Sequence, residues 1–326
     1  MAMSMATILD AILDLLLQGV QMLLVLAVAP LVLGVSRKVK ARLLRRVGPG
    51  VLQPYRDLWK LLHKEAVLAH NASWLYRVAP YLMFALTWVA AALVPTYATN
   101  LLFSWSADLI AIVALMASAR FTLALAGMDV GTSFGGIGAS REMLIASLAE
   151  PAMLLVAFTV ALLIGTTQLS TIATQFVNEP VGLRVSLVLA LFAFVFVAIA
   201  ENARIPIDNP ATHLELTMVH EAMVLEYSGR HLAMIEATAA LKLVLYFSLI
   251  ACLFVPFGMA TTDKGAPALA LGLVSYLAKL MVLAALLPVG ETMVAKMRVF
   301  RYPVFLGGAF AAAALAVFLL FVSKGF

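Results

Sequence analysis

The groups that could carry proton chemistry in this 326-residue chain are concentrated in one stretch, from Glu201 to Lys242. The stretch holds six of the 17 Asp and Glu residues and three of the five His. Its carboxylates are Glu201, Asp208, Glu215, Glu221, Glu226 and Glu236. Leu, Met and Val are interleaved with them, which is not typical of a solvated loop. We therefore interpret the stretch as a packed segment that carries buried acids, because unpaired carboxylates are not buried without a reason.

Further charges lie within or beside strongly apolar segments elsewhere in the chain. Such charges are costly inside a membrane and are usually paired or functional. Carboxylates with a few nearby bases are typical of a proton path, since burial and a neighbouring cation shift a carboxyl pKa in opposite directions. The proton-path candidates are Glu142, Glu150, Glu201, Asp208, Glu215, Glu221, Glu226, Arg120 and Lys279.

Glu150 is the strongest single candidate, because the predicted helix around it is otherwise apolar. Two interpretations are open for this carboxylate. It either exchanges protons, or it forms a salt bridge with a base of a neighbouring helix, Arg120 or Lys279. Lys242 has a simpler interpretation, since a lysine at the start of a span can extend to the membrane surface.

Metal and nucleotide chemistry are not supported by the residue pattern. His213, Glu215, His220 and Glu221 lack the His-Glu-x-x-His spacing, and no Cys accompanies them. The only cysteine, Cys252, cannot form a disulfide within the chain or hold an iron–sulfur cluster. No glycine-rich dinucleotide or Walker sequence is present. We therefore predict no catalytic residue, no metal and no cofactor in this chain, and no redox activity without partners.

The composition predicts an all-α, polytopic integral membrane protein. The chain is 64% hydrophobic and 12% charged, far from the composition of a soluble globular domain. The basic residues lie at span ends without an aromatic-basic patch, so nucleic acid is not expected as a partner. Residues 1–326 are predicted to form a single integral domain. Eight spans are predicted: Leu15–Val35, Tyr81–Thr99, Asp108–Gly127, Met143–Gly165, Val185–Ala203, Leu241–Phe257, Leu269–Val289 and Val304–Val322.

Lys and Arg are distributed unequally between the two sides of this predicted topology. Sixteen of the 22 fall on one side, ten of them between Arg37 and Arg77. The positive-inside rule therefore places both termini outside and the large polar loops in the cytoplasm of a bacterial or archaeal cell.

The first basic loop, Ser36 to Ala66, also has helical periodicity. Tyr55, Leu58, Trp59 and Leu62 recur at i, i+3, i+4 and i+7, which predicts an amphipathic helix on the membrane surface. A second loop, Gly131–Gly138, is rich in glycine, and we expect it to let two backbones approach rather than to bind phosphate.

Two classes of protein fit these residues. One is a subunit of an ion-translocating complex, and the other is a stand-alone secondary transporter with a site near the midplane. Transporters usually contain two related halves with broken helices. No such pairing is present here, and the charge is concentrated on one side.

Four separate motifs, in order along nearly the whole chain, resemble the subunit 1 family of respiratory complex I (also designated H) and its relatives in membrane-bound [NiFe] hydrogenases. The motifs are RRVGPGVLQPYRDLWKLLHKE (Arg45–Glu65), SREMLIASLAEP (Ser140–Pro151), ENARIPIDNPATHLELTMVHEAMVLEYSG (Glu201–Gly229) and ETMVAKMRVFRYP (Glu291–Pro303). The resemblance is strongest to the hydrogenase-4 and formate hydrogenlyase branch.

The resemblance implies an oxidoreductase subunit that docks a cytoplasmic redox arm and links it to proton translocation. It implies hydrogenase large and small subunits, a ferredoxin-like subunit and antiporter-like membrane subunits as partners, with the [NiFe] centre and iron–sulfur clusters in those partners. The residues that match the family motifs are Glu150, Glu201, Arg204, Asp208 and Glu226. The candidate docking residues are Arg45, Arg46, Arg56, Arg141 and Arg204.

One departure bears on the alternative, a quinone-site subunit of complex I. The quinone enzymes carry a denser acidic run after the matched Asp, of the Pro-Glu-Ala-Glu kind. Here the chain reads Asn-Pro-Ala-Thr-His-Leu-Glu from Asn209 to Glu215. This difference favours the hydrogenase type over a quinone-binding subunit.

Overall fold

A computed structural model describes residues 5–178, 184–204, 218–261, 265–294 and 301–324. Within these ranges the chain is helical, with two isolated β-bridges and no strand. Asp208 and Glu215, which were predicted to join the proton path, lie outside the described residues. The fold class therefore agrees with the all-α prediction, and the single-domain assignment stays a prediction.

Seven helices among the described residues are long and apolar enough to cross a membrane. They are α1 (Met5–Leu43), α3 (Trp74–Leu93), α4 (Leu109–Asp129), α5 (Ser133–Ile164), α9 (Gly229–Leu253), α10 (Ala266–Met293) and α11 (Tyr302–Lys324). Shorter helices are α2 (Gln53–Leu62), α6 (Leu169–Asn178), α7 (Val185–Glu201) and α8 (His220–Val224).

The fifth predicted span, Val185–Ala203, corresponds to α7, which is shorter than a complete crossing. It has 17 residues, so its length is about 25 Å, against a hydrocarbon core of about 30 Å. Its last residue, Glu201, is 2% exposed. The helix therefore ends with a carboxylate that is buried in the protein rather than at a surface.

Helix α9 lies at the centre of the helix bundle, and 18 of its residues are buried. It packs against α1, α2, α3 and α10, while α11 packs against α5 and α7 on the other side. Helix α4 lies between α3 and α5. This arrangement brings the middle of α4, the first half of α5, the end of α7 and the middle of α9 together.

The sixth predicted span was wrong at its start, because α9 begins at Gly229 rather than at Leu241. Lys242 is therefore in the middle of a buried helix and does not extend to the membrane surface. Helix α5 likewise begins ten residues before the predicted Met143. In both cases the helix continues through charged residues that a hydropathy count excludes. In α5, Arg141 and Glu142 contact other segments, whereas Arg230 and Glu236 of α9 are exposed.

The predicted amphipathic helix is α2, and its inward face differs in part from the prediction. Pro54 is buried, and Leu58 and Leu61 line a cavity against α1 and α9. Trp59 and Leu62, which were predicted on the same face as Leu58, are 68% and 51% exposed. Helix α2 is thus packed on the bundle along one edge and leaves an apolar edge uncovered in this chain.

The glycine-rich segment forms the beginning of α5, where α4, α5 and α8 meet. A Cβ on Gly135 would lie 2.1 Å from the carbonyl oxygen of Gly127, and one on Gly138 would lie 2.9 Å from that of Val219. Thr132 caps the helix, because its side chain accepts a hydrogen bond from the Gly135 amide. The expectation that these glycines permit close backbone approach is confirmed.

This contact predicts opposite effects for two neighbouring glycines. Gly135→Ala should destabilise the protein by about 1–3 kcal/mol, because the new methyl group forces α4 and α5 apart. Gly136→Ala is the matched control, since nothing lies within 4 Å of its Cβ position, and it should gain about 0.5–1 kcal/mol of helix stability. Thermal unfolding of the two variants in detergent measures the difference, and equal unfolding temperatures would contradict it.

Candidate functional site

The candidate site is built around the guanidinium group of Arg120, which is 6% exposed in the middle of α4. Its Nη1 lies 3.3 Å from Glu150 Oε1, and its Nε lies 3.6 Å from Glu142 Oε1. Its Nη2 makes a close ion pair with Glu201. One cation therefore joins three carboxylates from α5 and α7, as the planar, multidonor guanidinium allows.

Glu201 has a second cation on its other side. Lys242 Nζ in α9 lies 2.9 Å from Glu201 Oε2. Because α7 ends at Glu201, this side chain lies at the tip of the helix and can contact both α4 and α9. A residue on the side of a longer helix would face only one of them. We name Arg120, Glu142, Glu150, Glu201 and Lys242 the central cluster.

A histidine adjoins the central cluster from α8. His220 Nε2 lies 3.5 Å from Glu142 Oε1, and the histidine side chain is 21% exposed. The segment is held there by Arg141, whose Nη1 donates to the carbonyl oxygen of Met218 at 2.8 Å. His220 is thus the least buried basic group in contact with the cluster acids.

The cluster acids differ in how far they are covered by the rest of the chain. The Glu142 and Glu201 side chains are each 1% exposed, whereas the Glu150 side chain is 37% exposed. Glu150 lies on α5 beside exposed residues such as Leu144 and Ser147. The central cluster therefore reaches the outside of this chain at Glu150.

A second ion-pair group joins the ends of three segments. Lys40 Nζ of α1 lies 2.6 Å from Glu291 Oε2 of α10, and Arg204 Nη1 lies 3.8 Å from Glu291 Oε1. Glu291 is 4% exposed. This group fixes α1 and α10 to the segment that follows α7, and burial lowers the pKa of Arg204, which Glu291 partly opposes.

Two of the predicted proton-path acids are not buried. Glu221 and Glu226 are exposed, while Ala222 and Met223 between them are buried. The reason is that α8 packs its small and apolar residues on α4 and α5 and directs the flanking acids outward. Of the four acids expected to be buried or half-buried, Glu201 is buried and Glu150 is half-buried, whereas that expectation is wrong for Glu221 and Glu226 within this chain. Their role in a proton path stays a prediction.

Lys279 also lies apart from the central cluster. Its ammonium group donates a hydrogen bond to the carbonyl oxygen of Phe257. It makes no ion pair with any acid of the cluster, so of the two bases suggested as partners of Glu150, Arg120 is the one that contacts it.

The five predicted docking residues fall into two sets. Arg45, Arg46 and Arg56 are exposed around the end of α1 and on α2. Arg141 and Arg204 are used within the chain, in the contacts with Met218 and Glu291. Only the first set is free to contact another protein through most of its side chain.

Within the described ranges, no three His, Cys, Asp or Glu side chains are arranged to hold a metal ion. Cys252 is buried in α9. The central acids are occupied by Arg120 and Lys242, so the described residues do not fit a nickel centre or an iron–sulfur cluster.

Sequence reasoning missed several members of these groups. Lys242 was assigned to the membrane surface, and His220 was considered only as a metal ligand. Lys40 and Glu291 are separated by 251 positions in the chain, and neither was predicted to pair. The sequence contained a signal for Lys242. If the helix is taken to start at the Ser-Gly pair at Gly229, Lys242 lies well inside it and cannot reach the membrane surface.

Comparison with known proteins agrees with this architecture. Residues 17–322 match the NADH dehydrogenase family. The chain is 35% identical to formate hydrogenlyase subunit 4 of Escherichia coli (strain K12), over 86% of this chain and 90% of the relative. It is 34% identical to hydrogenase-4 component C of the same strain, over 85% and 87%.

More distant relatives extend the comparison to complex I and to a solved structure. NADH-ubiquinone oxidoreductase chain 1 of Triticum aestivum is 29% identical over 70% of this chain and 72% of its own. One polypeptide of the membrane-bound sulfane sulfur reductase, an archaeal respiratory membrane complex, has the same fold, with a TM-score of 0.74 at 22% identity, covering 95% of this chain and 99% of that one. The chain therefore belongs to the NADH dehydrogenase family, of the complex I subunit 1 type, and is a membrane subunit of a respiratory-type complex.

Proposed function

We propose that this chain is the membrane subunit of a hydrogenase-4 or formate hydrogenlyase-like [NiFe] hydrogenase complex. In this role it docks a cytoplasmic redox arm and couples electron transfer in that arm to proton translocation. The central cluster is the observation that carries the coupling part of the proposal, because three carboxylates on one buried arginine are a costly arrangement without a function.

The choice of the hydrogenase type rests on two observations. The two relatives of that type are 34–35% identical over at least 85% of this chain, against 29% over 70% of it for a chain of a ubiquinone oxidoreductase. The segment after Asp208 also lacks the dense acidic run of the quinone enzymes. The nickel centre and the iron–sulfur clusters would then belong to partner subunits.

Docking of the arm is proposed at the basic end of the bundle, formed by α2, the end of α1 and the segment from Met218 to His231. Arg45, Arg46 and Arg56 supply exposed positive charge there, and Trp59 and Leu62 supply exposed apolar surface. Such a mixture of arginine and aromatic residues is enriched at protein interfaces. The positive-inside rule places this end in the cytoplasm, with both termini outside.

The charges of the central cluster allow it to take up and release one proton. When all five groups are ionised, three negative charges face two positive charges. A proton on one carboxylate makes the cluster neutral, so uptake and release of a single proton changes its charge between zero and minus one. His220 offers an entry from the basic end, and Glu150 offers an exit toward a neighbouring subunit.

Several polar atoms beside this route are buried without a hydrogen bond to a described residue. They include Glu142 Oε2 and both ring nitrogens of His220. Buried polar groups almost always have a partner, and ordered water is the usual one where protein groups do not suffice. We therefore expect ordered water beside Glu142 Oε2 and the His220 ring.

A quinone-site subunit is the second candidate, and one cavity favours it. A cavity of about 190 Å³ lies between α1, α2 and α9. Its walls include Leu33, Leu58 and Leu232, with Arg37 and Glu236 among the polar residues. A mostly apolar cavity with a few polar groups is the usual setting for an amphiphilic ligand.

Purification of the complex through an affinity tag on this chain tests the proposal. We expect a partner subunit that contains nickel, together with hydrogen turnover that a quinone-site inhibitor does not affect. Co-purification of an NADH-oxidising module, with inhibitor-sensitive quinone reduction, would instead establish the second candidate. Recovery of the chain alone, with transport in liposomes, would overturn both.

A further inference from the structure

Lys279 is a charged residue in the middle of a helix that crosses the membrane. It lies 13 residues after Ala266 and 14 residues before Met293, so each end of α10 is about 20 Å away along the axis. Lysines near helix ends extend to the membrane surface. A lysine this far from both ends does not, and requires a polar or charged partner within the membrane.

The described residues give Lys279 only part of what it needs. Its ammonium group carries three donors, and one of them is used in the hydrogen bond to the Phe257 carbonyl oxygen. The ion pairs among the described residues involve Lys40, Lys242 and three other basic residues, but not Lys279. A carbonyl oxygen is a hydrogen-bond acceptor and does not neutralise the charge.

The surface around Lys279 is open on one side. Tyr276 and Leu280 face inward and are at most 1% exposed, whereas Val282 and Leu286 are 58% and 56% exposed. These two residues are at i+3 and i+7 from Lys279 and therefore border it on the same side of α10. Lys279 itself is partly exposed at the edge of this stripe. A lipid tail or an apolar helix against the stripe would leave the ammonium group uncompensated, whereas a helix with a carboxylate would neutralise it.

We infer that the exposed face of α10 around Lys279 is the contact surface for a transmembrane helix of a neighbouring subunit, and that this helix carries an Asp or Glu that pairs with Lys279. Apolar residues at Val274, Val282 and Leu286 would pack against the same helix. The inference rests on the proposed membership of a multisubunit complex. It does not depend on whether the redox arm of that complex is a hydrogenase.

Lys279→Met tests the pair in the purified complex, because methionine keeps most of the length of the side chain and removes its charge. We expect the neighbouring membrane subunit to be retained about tenfold less during purification, since its carboxylate would be left buried and unpaired. Lys279→Arg should restore retention. A photo-crosslinking residue at Val282 should capture a partner polypeptide in the otherwise unchanged complex, and this product should disappear in the Met variant.

Three results would overturn the inference. One is full retention of all membrane subunits in Lys279→Met. Another is a captured helix that contains neither Asp nor Glu, or capture of lipid alone. The third is an equal loss in Asp263→Asn, because Asp263 lies outside the described residues near Phe257 in sequence and would then be the partner. Nickel content and hydrogen turnover are measured separately, so failure of this contact is distinguishable from failure of the proposed function.

Discussion

Replacement of Arg120 by methionine is expected to cause the largest loss of assembled protein of any single change in the central cluster. The substitution removes the one group that contacts Glu142, Glu150 and Glu201 together. Two of these carboxylates are almost completely buried, and Lys242 reaches only Glu201. Loss of one partner from a buried pair costs about 3–5 kcal/mol, which is a large part of the stability of an ordinary domain.

Arg120→Lys is the matched control for this prediction. Lysine keeps the charge but is a compact point charge without the planar fork of arginine, so it can pair with some but not all of the three acids. We expect an unfolding temperature between those of the unchanged protein and the Met variant. The amount of folded chain in the membrane and its thermal unfolding in detergent measure the effect. Normal behaviour of Arg120→Met would show that the acids are neutral in the folded protein.

Glu150→Gln is expected to leave assembly of the complex normal and to abolish the coupling of hydrogen turnover to proton translocation. The substitution keeps the size and hydrogen bonding of the side chain and removes its titration. Arg120 still has Glu142 and Glu201 as partners in this variant, so the base is not left uncompensated. The cluster then contains two negative and two positive charges. Because it is already neutral, it no longer needs to take up the proton that neutralises the unchanged cluster.

Reconstitution of the complex into liposomes with a pH-sensitive dye measures this prediction. We expect either a lower rate of hydrogen turnover or turnover that no longer generates a proton gradient across the liposome membrane. The subunit composition of the complex should be unchanged. Glu65→Gln is a control for the same chemical change, since Glu65 is an exposed acid after α2, outside both the cluster and the cavity. A full gradient in a completely assembled Glu150→Gln complex would exclude the proton-path role of Glu150.

The sequence predicted the helices and the chemical character of the site better than it predicted the contacts. A membrane span is a local property of about 20 residues, so eight apolar segments could be located from their composition. The glycine-rich start of α5 was interpreted correctly for a similar reason, because glycine has few uses where backbones are apart. The pairing of Glu150 with a base of a neighbouring helix was also anticipated, although Arg120 and Lys279 were not distinguished.

The arrangement of the cluster depended on information that no local pattern contains. Arg120, Glu142, Glu201 and Lys242 come from four helices, and their meeting depends on how those helices pack. The start of α9 was placed too late because Arg230, His231 and Glu236 lower the hydropathy average over its first turns. Glu221 and Glu226 were expected to be buried because apolar residues lie next to them in sequence. The short helix α8 buries Ala222 and Met223 but leaves both acids exposed.

The residues of the central cluster lie far apart in the sequence, so they enter the membrane at different times during synthesis. Arg120, Glu142 and Glu150 emerge from the ribosome well before Glu201, and Lys242 emerges last. Domains and helices form from the amino terminus as they are made. Glu201 therefore enters the membrane with α7 before α9 brings Lys242 to it, and only Arg120 is available to neutralise it at that stage. Nascent chains that end before α9 are then expected to be held by the insertion machinery or degraded, and insertion of α9 becomes the step that commits the chain to its native fold.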